Sequence, residues 1–151
     1  MNARKTTEAE AEGGFTAEER AAMKERAAEV RKASKRGVDK KAAAAQDCLD
    51  KIAALPDDER TLAERIRVLV IENGPDLEPK TWYGMPAYAR DGKVLCFFQP
   101  ASKFDARYST FGFNDVANLD DGNLWPTSFA VSDLSASDEK YIADLVRRAV
   151  S

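Results

Sequence analysis

The sequence contains no histidine. Imidazole is the usual general base beside a serine or cysteine nucleophile, and it is the commonest protein ligand of zinc, copper and haem iron. Its absence excludes nucleophile schemes that need an imidazole base and most sites for those metals. The chain also lacks a Walker loop, a dinucleotide-binding glycine fingerprint, a nucleophile elbow and zinc-ligand spacing. We therefore expect a binding protein rather than an enzyme. Pairs of carboxylates or lysines that catalyse a reaction come together only in the folded chain, so the sequence alone does not show them.

Cysteine is nearly absent, with Cys48 and Cys96 the only two in 151 residues. They are far apart, have apolar neighbours and form no Cys-x-x-Cys pair, which favours buried, inert thiols over a disulfide or redox pair.

No apolar run approaches the roughly 18 residues that a membrane span needs, and the N-terminus lacks the apolar stretch of a signal peptide. We expect a cytoplasmic protein without a membrane partner.

With a net charge of only −3, the sequence has no strong excess of either sign. Residues 1–50 carry 11 basic against 10 acidic side chains and residues 51–151 carry 12 against 16, so any attraction to cations belongs to the second half. A basic stretch over residues 31–41 would be the candidate nucleic-acid contact. Glutamates alternate with the basic residues before it and no aromatic is interleaved for base stacking. A solvated helix end is the better interpretation, and we do not expect nucleic acid as a partner.

The N-terminal part is predicted to be helical after a short leader. Residues 1–14 mix small and charged side chains without apolar periodicity, which is typical of a disordered segment. Thr16 and Glu19 have the spacing of a capping box, which predicts a charged helix over residues 17–36. That helix has few large apolar side chains, so we expect it to be exposed, loosely docked or engaged with a partner. Gly37 would end it.

Two further helices are predicted to share one core. Asp39 would cap the second helix, which runs to about Leu55 and has one apolar stripe. The third helix begins with three acidic residues over 57–59, placed against the positive end of the helix dipole, and ends at residues 73–75.

The second half is aromatic and predicts strands, since 11 of the 13 aromatic residues lie between Trp82 and Phe129. Asp91-Gly92 suits the type I′ turn of a hairpin. Strands are predicted over residues 87–90, 93–99, 107–113 and 127–131, the second of them central, and a capping box over 135–138 opens a final helix. The predicted fold class is α+β, with two layers and an antiparallel meander of four or five strands packed against helices. Residues 37–151 would form this domain, and residues 1–36 a leader and charged helical extension.

The chain contains three segments that together resemble one known family: Lys80-Thr81-Trp82-Tyr83-Gly84-Met85-Pro86-Ala87-Tyr88, Gly92-Lys93-Val94 and Leu124-Trp125-Pro126-Thr127-Ser128-Phe129. With them, residues 45–151 resemble the YdhG-like family of small bacterial proteins. The resemblance implies a fold akin to the frataxin and CyaY group, and some members are described as intracellular iron chaperones. It implies no catalytic residues. Shorter members show a Lys-x-His pattern after the hairpin, where this chain has Lys103-Phe104-Asp105.

A ligand site built from the aromatic residues is the first hypothesis about a site. Trp and Tyr have large rigid faces, Met adapts its shape, and nearby cations would favour an anionic ligand. The predicted ligand-binding residues are Lys80, Trp82, Tyr83, Met85, Tyr88, Lys93, Arg107, Tyr108 and Trp125. The alternative is that Gly84 and Pro86 shape a turn, the rings fill the core, and the charges are solvated strand ends.

A metal site is the second hypothesis. An iron carrier without histidine would depend on carboxylate oxygens, and Asp115, Asp120 and Asp121 are the candidate ligands. The acidic residues at 57–59 and 138–139 lie at predicted helix N-termini, where the helix dipole alone explains them.

Three functions remain open from the sequence. The leading hypothesis is a non-enzymatic YdhG-like binding protein, an iron chaperone that delivers metal to a partner. The second is a sensor or carrier of a small anionic ligand in an aromatic pocket. The third makes the helix over residues 17–36 a docking arm for a protein or a nucleic acid. These hypotheses are distinguished by whether the rings over residues 82–88 face a cavity or the core.

Overall fold

The computed structural model describes residues 14–35 and 40–151, which form four α-helices and one five-stranded antiparallel sheet. The helices are α1 (Ala17–Lys35), α2 (Lys40–Ala53), α3 (Asp57–Asn73) and α4 (Ala136–Val150). The strands are β1 (Glu78–Trp82), β2 (Met85–Arg90), β3 (Lys93–Gln99), β4 (Ser109–Phe113) and β5 (Ser128–Val131), and a short 3-10 helix spans Ala101–Phe104. The predicted α+β class is confirmed. The predicted leader up to residue 13, the boundary at Gly37 and the cap at Asp39 lie outside the described residues.

Two helices begin at the capping boxes that the sequence predicts. The hydroxyl of Thr16 accepts from the Glu19 amide at 3.0 Å, and the Thr16 amide donates to the Glu19 carboxylate at 3.3 Å. Ser135 and Asp138 make the same reciprocal pair at the start of α4. Each box satisfies amides that have no partner inside the helix. Local side-chain chemistry therefore sets both starts.

The sheet is a simple meander in the order β1-β2-β3-β4-β5. Its first two turns each contain two consecutive residues with positive φ, Tyr83-Gly84 at 53° and 76° and Asp91-Gly92 at 53° and 79°. Such turns match the right-handed twist of paired strands. The second hairpin is the one that Asp91-Gly92 predicts. β1 was not predicted as a separate strand, and it supplies the fifth strand of the meander.

One face of the sheet packs against the helices and forms the core. Tyr88 pairs with Cys96, and Phe98 with Phe111, so these side chains share a face, and all are at most 1% exposed. Apolar residues of α2, α3 and α4 complete the cluster. Burial of these large side chains supplies the main stabilising term of the fold.

The opposite face of the sheet, called the outer face below, carries aromatic and charged side chains near β1. Lys80 pairs with Ala87 and Ala87 with Phe97, so these three residues share the face, and Trp82 follows Lys80 at strand spacing. Phe97 also pairs with Gly112, where an added Cβ would overlap the Phe97 ring. Glycine at that position lets the ring lie close against β4.

The first helix, α1, lies beside α2 at the free edge of β1, held by ion pairs such as Lys32–Asp47 and by contacts to β1. Ala22 is the one buried side chain among those described in α1, whereas Met23 and Val30 are 43% and 51% exposed. The helix therefore buries little apolar surface, as its composition predicts. Among the described residues, no helix combines the length and apolar character that a bilayer crossing requires.

Candidate functional site: a basic and aromatic cleft

The structure divides the predicted ligand-binding residues among separate places. Tyr88 is fully buried in the core and Met85 is 5% exposed, so the structure gives their predicted ligand-binding role no support. Their strand, β2, lies inside the sheet, where both faces are covered. Arg107 and Tyr108 contact each other before β4, with 5.2 Å between the guanidinium carbon and the ring centroid. Trp125 packs against the core from the loop before β5.

Three of the predicted residues do come together, in a cleft on the outer face. Lys80, Trp82 and Lys93 line a cavity of about 350 Å³. The other lining residues are Arg26 of α1, Gly92, Val94, Asn114, Asp115 and Val116. Lys80 and Trp82 lie on the outer face of β1, and Lys93 opens β3 directly after the hairpin turn, where Gly92 also lines the cleft.

Three aromatic rings lie together on the β1 side of the sheet, and one of them, Trp82, lines the cleft. The ring of Trp82 lies 5.3 Å from that of Phe97 and 5.2 Å from that of Tyr83, the second pair edge to face. All three side chains are half-buried. Ring pairs at these distances stabilise one another and hold the indole in one orientation. Trp82 therefore offers the cleft a fixed apolar surface.

Positive charge dominates the lining. The described lining residues comprise three cations, Arg26, Lys80 and Lys93, and one acid, Asp115. Among residues 14–35 and 40–151, no carboxylate oxygen lies within 4.0 Å of the Lys80 ammonium. Partial burial, and then the charge of Arg26, lower the pKa of Lys80 against the opposing effect of two glutamates. An anion placed here would offset the desolvation of that ammonium.

Arg26 reaches the cleft because the glutamates on either side of it anchor α1. The Glu29 carboxylate accepts hydrogen bonds from the amides of Tyr83 and Gly84, at 3.2 and 2.9 Å. Glu25 forms ion pairs with Lys103 at 2.6 Å and with Lys51 at 3.0 Å. Sequence reasoning missed this arrangement. The Glu-x-x-x-Glu spacing was visible, but its partners lie more than 25 residues away along the chain.

The pKa of the Glu25 carboxyl has opposing causes. Burial raises it, whereas the hydrogen bond from Lys103, the close approach of Lys51 and the charges of both lysines lower it, and the net pKa lies below the usual value. The carboxyl is therefore ionised at neutral pH and holds both lysines.

The predicted metal ligands do not gather into a site. Asp115, Asp120 and Asp121 are exposed. In the part of the chain that the structure describes, no three His, Cys, Asp or Glu side chains are placed to share a metal ion. Asp115 lines the basic cleft instead. The structure gives the carboxylate iron site no geometric support.

Both cysteines are free and buried, as predicted. Burial raises the pKa of the Cys48 thiol to about 11 and raises that of Cys96 further. Because the thiolate is the reactive form, these are inert thiols at neutral pH.

Comparison with protein-family models, with curated proteins and with solved structures finds no match for this chain. What the cleft binds can therefore be inferred only from its own residues.

Proposed function

We propose that this protein is a non-enzymatic sensor or carrier that binds a small anionic ligand in the basic and aromatic cleft. The observation that carries the proposal is Lys80, a half-buried cation without a carboxylate partner among the described residues, beside the fixed ring of Trp82. Arg26 and Lys93 add charge from two other elements. Convergent cations of this kind favour an anion, and the volume lies in the range of about 300–1,000 Å³ usual for ligand sites.

The chemistry of the lining narrows the ligand class. A carboxylate or phosphate group would lie between Lys80 and Arg26, and an apolar part would pack against Trp82. Asp115 would accept a hydrogen bond from a hydroxyl or amine of the ligand. The described lining contains no serine, threonine or cysteine, so it offers no hydroxyl or thiol nucleophile from these residues.

The iron-handling function is less favoured. It rests on the resemblance of residues 80–88 to the YdhG-like family, and that resemblance is itself a proposal. No described cluster of carboxylates supports it. Anaerobic calorimetry with ferrous and ferric iron tests it, and the absence of binding tighter than about 1 mM would remove it.

A titration of tryptophan fluorescence with small carboxylates and phosphates tests the anion proposal. We expect at least one anion to change the emission with a Kd below about 1 mM, or about −4.1 kcal/mol. Lys80→Met should weaken that binding at least tenfold. Arg107→Ala is the matched control, because Arg107 lies outside the cleft lining. No response to any anion, or equal losses in the two variants, would contradict the proposal.

A further inference from the structure

The turn between β1 and β2 forms an anion-binding site that α1 already fills. Tyr83 and Gly84 both have positive φ, and their amides both donate to Glu29. Successive amides that converge in a tight turn bind anions through their partial positive charges. The two amides would donate in the same way to a carboxylate of another molecule.

A second carboxylate position lies directly beside the turn. Glu25 pairs with Lys103 and Lys51, whose ammonium groups lie 2.6 and 3.0 Å from its oxygens. A Cβ built on Gly84 would overlap the Glu25 carboxylate, so that carboxylate packs against the glycine backbone. The turn and the two lysines, called the turn site below, thus hold two carboxylates that are four residues apart on one helix.

Apolar contacts hold α1 only weakly. Ala22 is its one buried residue among the described side chains, and its larger apolar residues Met23 and Val30 are exposed. The carboxylates therefore carry much of the docking. A partner helix with the same two carboxylates would make the same polar contacts, in competition with an α1 that is favoured by its covalent attachment.

We propose that the turn site is a docking site for an acidic helix of a partner protein, with two glutamates four residues apart, and that α1 is its displaceable resident occupant. The charge complementarity and the helical form of the present occupant specify the partner. The inference goes beyond ligand binding in the cleft, since it needs no cleft ligand. It also connects the two sites, because displacement of α1 removes Arg26 from the cleft lining.

The test uses a fluorescent peptide of residues 15–35 and the full chain with its own occupant weakened. In the full chain, Glu25→Gln with Glu29→Gln keeps side-chain size and removes both charges. We expect this variant to bind the peptide at least tenfold more tightly than the unmodified chain, whose own α1 competes. Adding Lys51→Met and Lys103→Met should reverse the gain.

Two peptide controls test whether the carboxylates of Glu25 and Glu29 are the groups that the turn site binds. A peptide with Glu25→Gln and Glu29→Gln should not bind, whereas a peptide with Glu18→Gln should bind normally, because Glu18 is exposed and lies in the first turn of α1. Glutarate is added as a competitor. Displacement of the peptide by glutarate at equal concentration would make a free dicarboxylate the occupant and overturn the helix proposal.

Circular dichroism and thermal melting confirm that the double variant is folded. If the double variant melts near room temperature, the single variant Glu29→Gln is used instead, and its peptide affinity is compared with that of the unmodified chain in the same way. Equal affinity of the variant and the unmodified chain, or no binding to either, would overturn the proposal. Neither result bears on anion binding in the cleft, which the fluorescence titration measures separately.

Discussion

The two faces of the sheet use aromatic residues in opposite ways. Phe98 and Phe97 are neighbours on β3, yet the first is fully buried among the helices and the second lies half-buried beside Trp82 on the outer face. Strand alternation alone separates them. The aromatic richness of the second half of the chain thus serves stability on one face and a candidate binding surface on the other.

The helices show a parallel contrast. α2, α3 and α4 contribute apolar side chains to the core cluster, whereas α1 has one buried side chain among those described and contacts the turn site through two carboxylates. Apolar packing is non-directional and depends on area, while charge-assisted hydrogen bonds depend on a few atoms. A helix held by a few charge-assisted hydrogen bonds can be released by changing one or two residues.

The largest expected effect separates the two faces. Phe98→Ala should lower the free energy of unfolding by about 3–5 kcal/mol, because it opens a cavity in the core. Phe97→Ala should cost about 1–2 kcal/mol, because part of that ring is already exposed. Urea denaturation measures both losses. Similar losses in the two variants would contradict the division between a structural face and a binding face.

A smaller effect tests how α1 is anchored. Gly84→Ala places a side chain at φ +76° and against the Glu25 carboxylate, so it should cost about 1–3 kcal/mol and release α1. Gly122→Ala is the matched control, with φ +66° and open space around the added Cβ. Hydrogen exchange of α1 amides should accelerate in the first variant alone. Equal acceleration in both would show that the turn does not anchor the helix.

The contribution of α1 to recognition should be smaller still. Arg26→Ala removes one of the three cations in the cleft, and we expect anion affinity to fall about threefold, or about 0.7 kcal/mol. The thermal midpoint should hardly change, since the Arg26–Glu29 pair is long at 3.6 Å and partly exposed. Calorimetry measures the anion affinity, and a melting curve measures the thermal midpoint. An unchanged affinity would remove Arg26 from the site.

The weakest expected effect is a pH dependence of α1 docking. The pKa of Glu25 is lowered in the folded protein, so its contribution is present above the usual 4.5 and is lost as pH falls through the lowered value. The protection factors of the α1 amides, which correct for the intrinsic pH dependence of exchange, should therefore fall as the pH drops below 4.5, and Glu25→Gln should flatten this fall. The same acid dependence in the variant would assign it to other carboxyls.

Much of the fold could be predicted because its signals are local. The capping boxes at Thr16 and Ser135 and the Asp91-Gly92 turn involve residues within a few positions of one another. β1 was missed because Pro79 and Lys80 weaken its strand pattern, and pairing with β2 forms it.

The candidate site was only partly predictable. Lys80, Trp82 and Lys93 were named from the sequence, but Tyr88 was assigned to the same pocket, since a run of alternating rings does not show which face is covered. Arg26 was missed because it enters the cleft only through the contacts of α1 with a turn more than 50 residues away along the chain.

Titration of the Lys80 ammonium by NMR, with and without a bound anion, tests the proposed cleft most directly. In the free protein its pKa should lie below the usual 10.5, because of burial and then the nearby Arg26. A carboxylate or phosphate bound in the cleft stabilises the charged form of Lys80, so the account predicts that the ligand raises the Lys80 pKa. A Lys80 pKa that does not move when the anion saturates the protein would contradict the account.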